Sequence, residues 1–266
     1  MFFNDEDTEP KDCTCGKLIE DCAFYEATTR HMKIPDTHDW DRQLFVHMPK
    51  FSRIQIINRV LHSVRFEGTL RHRIISTVPI YRHIRNRFLA AQLQFFSNAI
   101  SCTGAAIYID GTKSIRRAQL IARDNHSEMK VLHLIRDGRG FCASYIKHTH
   151  PTPRLTEAAN AWINYINRVD TFARNFPSVP IHVVRYEDLC RSTSTAMEGI
   201  YRFIGVSYEE PNPTLMKDAH IFGNRMRRNF TGKITEDTSW KEKLDRATQL
   251  KLTAIMKSQL TRFGYL

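Results

Sequence analysis

Apolar residues recur at two different periods along this chain, and the change falls near residue 100. From Ile54 to about Ile100, positions Ile57, Val60, Leu61 and Val64, then Ile84, Phe88, Ala91 and Phe95, return every three or four residues, the period of one helix face. Gly68 and Pro79 break the run, so it predicts separate helices. Beyond residue 100, short apolar runs alternate with helical patterns, as in a parallel sheet built from strand, crossover helix and strand. Three strands are predicted, Ala105 to Ile109, Lys130 to Ile135 and Ile181 to Val184. Helices are predicted from Ser114 to Arg123, from Gly138 to Lys147, from about Leu155 to Phe176, from Thr195 to Ile204 and from Leu244 to Phe263.

The helix from Leu155 carries Leu155, Ala159, Trp162, Ile166, Val169 and Ala173 on one stripe, which reads as core and makes Trp162 a packing residue. The last helix should turn Leu244, Ala247, Leu252, Ile255, Met256 and Leu260 inward, and Gly205 suits a left-handed cap on the helix before it. Residues 1 to 50 show little periodicity beyond one short helix around Leu18 to Tyr25 and read as an irregular connector. The expected organisation is one domain over residues 1–266, with that connector, a helical acceptor-side segment over 51–100 and an α/β core over 101–266.

Composition narrows the class. With 42% hydrophobic and 25% charged residues and only 11 Gly and 10 Pro, the chain is neither a low-complexity polymer nor a disulfide-dense miniprotein. Its apolar runs fall far short of the roughly 20 residues that span a bilayer, and no secretory h-region is seen, so a cytoplasmic location is expected. A formal charge of +11 favours an anionic partner. Part of the excess gathers at Arg65, Arg71, Arg73, Arg82, Arg85 and Arg87, which reads as a solvated face. Charge alone also admits a nucleic-acid binder, but no zinc finger, paired recognition helix or aromatic RNA-binding signature accompanies it, and none is expected. Of six cysteines, Cys102, Cys142 and Cys190 fall in segments that read as core, while Cys13, Cys15 and Cys22 lie close together. With His31 these last three lack the paired two-residue spacing of a zinc signature, so reduced thiols and no metal are expected.

In an open parallel sheet, ligands bind beyond the carboxyl ends of the strands. Those positions hold Asp110-Gly111-Thr112-Lys113, Arg136-Asp137-Gly138-Arg139 and Tyr186-Glu187-Asp188. Arg136 at a strand mouth, followed by a tight turn and a helix start, offers a guanidinium beside backbone donors, which suits a dianionic phosphate. Ser144 adds a hydroxyl from the second helical turn. The competing reading pairs Arg136 with Asp137 or Glu187 merely to organise the sheet end.

The run Val131-Leu132-His133-Leu134-Ile135-Arg136-Asp137-Gly138-Arg139, with Ser144 at its offset, resembles the 3′-phosphate-binding motif of sulfotransferases. The resemblance implies that Arg136 and Ser144 hold the 3′-phosphate of 3′-phosphoadenosine-5′-phosphosulfate (PAPS). Many members of that family carry Pro where Gly138 stands, though the Gly form also occurs. Ile109-Asp110-Gly111-Thr112-Lys113-Ser114 is similar to the family segment whose Lys lies near the transferring group, which implies that role for Lys113. Val184-Arg185-Tyr186-Glu187-Asp188-Leu189 resembles the segment whose Tyr faces the adenine, implying Tyr186. The stretch from His220 through Arg225 and Arg228 to Trp240 is similar to the late loop that closes over the donor with basic side chains. Cys13-Thr14-Cys15-Gly16 and Cys22-Ala23-Phe24-Tyr25 resemble a connector of bacterial-type members.

The resemblance implies an α/β, P-loop NTPase-like parallel sheet flanked by helices. It also implies sulfuryl transfer from PAPS, without a metal, to a hydroxyl or amine on a glycan or small molecule. Family members open with a strand, a Gly- and Ser/Thr-rich phosphate loop and a helix, whereas no glycine precedes Gly16 here. The first strand and phosphate loop are therefore expected to be missing, as in a fragment or a natural variant, with an unpaired edge left on the sheet. The alternative expectation is a catalytically inactive module that keeps affinity for a nucleotide or an acidic glycan.

Overall fold

In the computed structural model the described residues are 13–30, 32, 57, 70–123, 128–149, 151–210 and 234–266. The chain divides into two compact units, one of Met1–Leu61, Arg73–Ser114 and Glu210–Lys233, the other of His62–His72, Ile115–Glu209 and Ile234–Leu266. No described helix is long and apolar enough to cross a membrane.

In the first unit a 3-10 turn, Ile19–Asp21, leads into α1, Ala23–Thr29, where the sequence predicts one short helix. Helix α2, Leu70–Thr77, is followed after Val78 by α3, Pro79–Thr103, which starts on a proline because a missing N–H costs nothing at a first helical position. Phe88 and Phe95 are buried on α3 as its periodicity predicts. Helix α1 lies on α3, with Tyr25 stacked at 6.5 Å on Phe95 and Asn98 Nδ2 donating to the Thr28 carbonyl at 2.7 Å. Cys13, Ile19, Cys22, Tyr25 and Phe95 form the buried cluster of this unit. Cys102 is exposed near the end of α3 rather than in core, while Arg82 and Arg87 are exposed as a solvated face requires. Val60, Leu61, Val64 and Arg65 lie outside the described residues, as do the side chains of Arg71 and Arg73.

The run Ala105 to Ile109 is not a strand. A strand needs a hydrogen-bonded neighbour and a face to bury. None of the described strands pairs with this run, and Ile109 is 71% exposed.

The second unit carries the sheet. After α4, Ile115–Ala122, strand β1, Val131–Ile135, leads into α5, Gly138–His148, and α6, Leu155–Asn175, which return the chain to strand β2, Ile181–Arg185. The two strands are parallel, in register from Val131 opposite Ile181 to Ile135 opposite Arg185. Helices α7, Tyr186–Arg191, and α8, Thr193–Ile204, follow, then α9, Trp240–Lys243, and α10, Arg246–Arg262. Among the described residues this is a helix-rich α/β arrangement with a two-stranded parallel sheet, where the sequence predicts three strands. Gly205 caps α8 at φ 89°, and Lys130 Nζ donates to the end carbonyls of Phe203 and Ile204 at 3.0 and 3.1 Å.

The core of this unit gathers Ile135, Cys142, Ala158, Ala159, Trp162, Ile166, Leu252, Met256 and Leu260. Trp162 packs at 2% exposure, as its stripe predicts. On α10 the buried face is Leu252, Met256 and Leu260, one residue per turn, whereas Ala247 and Ile255 are exposed. Ile255 precedes Met256 by one position, about 100° around the helix, and falls outside the buried face of α10.

Gly138 opens α5 directly beneath this core. A Cβ there would stand 2.8 Å from Met256 Sδ and 2.9 Å from two ring carbons of Trp162. Gly138→Ala is therefore expected to cost about 1–3 kcal/mol as overpacking, which urea denaturation of the two chains would read.

Candidate functional site

Arg136 leaves the carboxyl end of β1, and its surroundings are built by three acidic residues that divide the local cations among them. Asp137 caps α5, accepting the Arg139 N–H at 2.9 Å, and holds the Arg139 guanidinium through both oxygens at 3.0 and 2.7 Å. Glu187, buried on α7, accepts the Asp137 N–H at 2.9 Å and the Tyr265 hydroxyl at 2.9 Å. Both candidate acidic partners of Arg136 are thus engaged elsewhere. Among the described residues, the acidic partner of Arg136 is Asp237, which accepts from its guanidinium through its carbonyl at 3.0 Å and its Oδ2 at 3.1 Å.

Glu187 fixes the turn between β1 and α5 from helix α7, which follows β2 directly. Glu187→Ala leaves the buried Asp137 amide without its acceptor and the Tyr265 phenol with only the Ile135 carbonyl at 3.4 Å, and is expected to cost about 2–4 kcal/mol, with Glu187→Gln losing less. Thermal denaturation of the three chains measures it.

Arg136 and Tyr186 come together as the sequence predicts, the guanidinium 5.2 Å from the centre of the Tyr186 ring. Tyr186 opens α7, where burial pushes its phenol above the ordinary range. Its hydroxyl donates to the Thr235 carbonyl at 3.3 Å and accepts the Asp237 N–H at 3.0 Å, so residues 235–237 lie across both side chains. Arg191 grips the same segment through both oxygens of Glu236, at 2.8 and 3.1 Å.

Ser144 is exposed on α5. It follows Gly140 by one helical turn and shares its face. A Cβ at Gly140 would meet Arg136 Nε at 3.0 Å and Trp240 at 2.9 Å, so that face is the one against which the guanidinium lies. Trp240 is buried there, with the Arg139 guanidinium 5.0 Å from its ring centre. Trp162, read from the sequence only as packing, also donates its indole N–H to the Arg136 carbonyl at 3.2 Å.

Lys113 belongs to the first unit, with an exposed side chain. Its φ is 59°, the one left-handed non-glycine among the described residues, in a loop where the Thr112 N–H donates to Asp110 Oδ1 at 2.9 Å. Arg225 and Arg228 lie outside the described residues. His133 is buried on β1 between Tyr165 and Phe263, and burial lowers its pKa, as befits a core histidine.

Asp237, Glu187 and Tyr265 were not singled out as an assembly by the sequence, since Asp237 meets Arg136 across 101 residues and Tyr265 meets Glu187 across 78. The Ser239 hydroxyl hydrogen bond is the largest cause holding Asp237 at about 2, helped by the Ser239 amide and Arg136 and opposed by slight burial. A folded-state pKa below the ordinary carboxylate value stabilises above about pH 4 and is lost as pH falls through about 2. With the Asp237 side chain 54% exposed, the contribution is held below about 1 kcal/mol. Denaturation from pH 5 to pH 2 should show the gap between the wild type and Asp237→Asn closing across that window.

Comparison with curated proteins and with solved structures gave no match. A family model described as "Sulfotransferase family" matches residues 17–210, which include β1, α5, β2 and α7.

Proposed function

The chain belongs to the sulfotransferase family, and from that premise we propose that it transfers a sulfuryl group from PAPS to a hydroxyl or amine of a glycan or small molecule. The observation that carries the reading is Arg136 itself. Its half-buried guanidinium stands at a strand mouth with Tyr186 beneath it and Ser144 on the adjoining helix face, while Asp137 and Glu187 are committed to other partners. Such a site can receive a dianionic 3′-phosphate, with the phenol ring available as a stacking surface for the nucleotide.

In this reading the donor supplies an activated sulfuryl group. It leaves the donor phosphate for the acceptor oxygen or nitrogen as the acceptor proton departs, releasing 3′-phosphoadenosine-5′-phosphate (PAP). Arg136 and Ser144 hold the nucleotide, Tyr186 faces its base, and Lys113, with Arg225 or Arg228, neutralises developing negative charge. The P-loop NTPase-like sheet belongs to the same proposal, supported by the parallel register of β1 and β2.

The left-handed backbone of Lys113 supports its assignment, because a side chain held there costs stability that a glycine would not. Lys113→Gly is expected to stabilise the chain by about 0.5–1 kcal/mol while removing sulfuryl transfer. The direct test is calorimetric titration of PAP against adenosine monophosphate, followed by acceptor screening with labelled PAPS. Preference for the 3′-phosphate together with transfer supports the enzyme. Preference without transfer to any acceptor supports the inactive binding module, and absence of preference removes the assignment of Arg136.

A further inference from the structure

The sulfurs of Cys13, Cys15 and Cys22 converge in the first unit, and none of the three is assigned to sulfuryl transfer. Cys22 Sγ lies 3.6 Å from Cys13 Sγ and 3.7 Å from Cys15 Sγ, and all three lie within 4.8 Å of one another. None of the six cysteines forms a disulfide. A tetrahedral zinc with bonds of about 2.3 Å to sulfur separates its thiolates by roughly 3.8 Å, which is the spacing two of these pairs already have. A disulfide needs about 2.05 Å and leaves the third sulfur over.

The backbone draws the sulfurs together. Cys13 and Cys15, two residues apart, bring their sulfurs within 4.8 Å of each other. Gly16, at φ 86°, makes the turn that permits this, closed by Gly16 N–H to the Cys13 carbonyl at 2.9 Å and Cys13 N–H to the Lys17 carbonyl at 2.8 Å. Cys22 is delivered from the other side by the turn Ile19–Asp21.

We propose that Cys13, Cys15 and Cys22 bind a divalent soft metal, zinc by ligand type, as a structural site that pins the Cys13–Lys17 turn to the base of α1. Three thiolates with one dication carry a net negative charge, and Lys17, a cation, follows Cys15 by two residues. Cys13 and Cys22 are buried at 2% and 0%, as a closed structural site requires, and Cys15 is half-buried. Through Cys22 and Tyr25 the metal would reach the same apolar cluster that seats α1 on α3, so its binding energy becomes folding energy of this unit. The spacing of Cys13 and Cys15 departs from the usual two-residue pair, which is why the sequence alone argues against a metal. His31 lies outside the described residues, and the site rests on the three sulfurs.

The test uses the full chain purified without chelator. Elemental analysis should find one zinc per chain, retained in Cys102→Ser and lost in Cys15→Ser and in Cys22→Ser. Cobalt exchanged into the site should show thiolate-to-cobalt charge transfer with tetrahedral visible bands. A second measurement needs no variant: native alkylation should label Cys102 at once but Cys13, Cys15 and Cys22 only after a chelator is added. A chain without zinc that gives no cobalt spectrum overturns the site. So does zinc persisting in both cysteine variants, or a disulfide between any two of the three.

Discussion

Arg136→Ala is expected to weaken binding of PAP by about 2–3 kcal/mol, roughly 30- to 150-fold, with adenosine monophosphate expected to bind as to the wild type. The size follows from a guanidinium fork facing a phosphate in a half-buried setting, where each hydrogen bond is charge-assisted. Arg136→Lys keeps the charge without the planar fork and should recover only part of the loss. Stability is a poor guide to this change, because the pair with Asp237 is 26% and 54% exposed and its removal costs no more than about 1 kcal/mol. Asp237 sharpens the experiment. Its Oδ2 occupies a position on Arg136 that an incoming phosphate oxygen would take, so Asp237→Asn should bind the nucleotide severalfold more tightly. Calorimetry on the four chains reads all of this, and equal affinity in Arg136→Ala and the wild type would sink the donor site.

Trp162→Ala is expected to be the most destabilising single change, at about 3–5 kcal/mol, a large part of the roughly 5–15 kcal/mol that holds a domain folded. Trp162 is 2% exposed, lies against Gly138, and belongs to the cluster that joins Ile135 of β1 to Leu252, Met256 and Leu260 of α10. Trp162→Phe separates two contributions. It keeps most of the packing but loses the indole hydrogen bond to the Arg136 carbonyl, so it should cost about 1 kcal/mol beyond the smaller ring. Because that bond fixes the backbone carrying the guanidinium, the Phe variant should also bind PAP less tightly. Urea melts and titrations on the same preparations separate the two effects.

What the sequence makes legible is what depends on local period. The helices Gly138–His148, Leu155–Asn175 and Thr193–Ile204 and both strands fall where apolar spacing and Gly205 place them, because each element buries a face that its own residues define. Ala105 to Ile109 fails for the complementary reason, since an apolar run becomes a strand only when a neighbour pairs with it. Arg136 and Tyr186 were found together because both end strands of one parallel pair, so registry alone makes them neighbours. Asp237 is not legible in the sequence because no periodicity links it to Arg136. The same holds for the bond from Tyr265 to Glu187 and for Trp162 meeting the Arg136 carbonyl, contacts that depend on how whole helices pack.

Gly138 also constrains how this sequence can drift. A side chain at 138 and a full indole at 162 compete for one volume, with Met256 as the third claimant. Admitting proline or alanine at 138 first forces Trp162 and Met256 to give way, and shrinking Trp162 first opens a hole beneath the turn between β1 and α5. Each half-step is less stable than either end, so the positions are coupled and their separate effects will not add. Descendants of this chain should change 138 and 162 together or leave both alone.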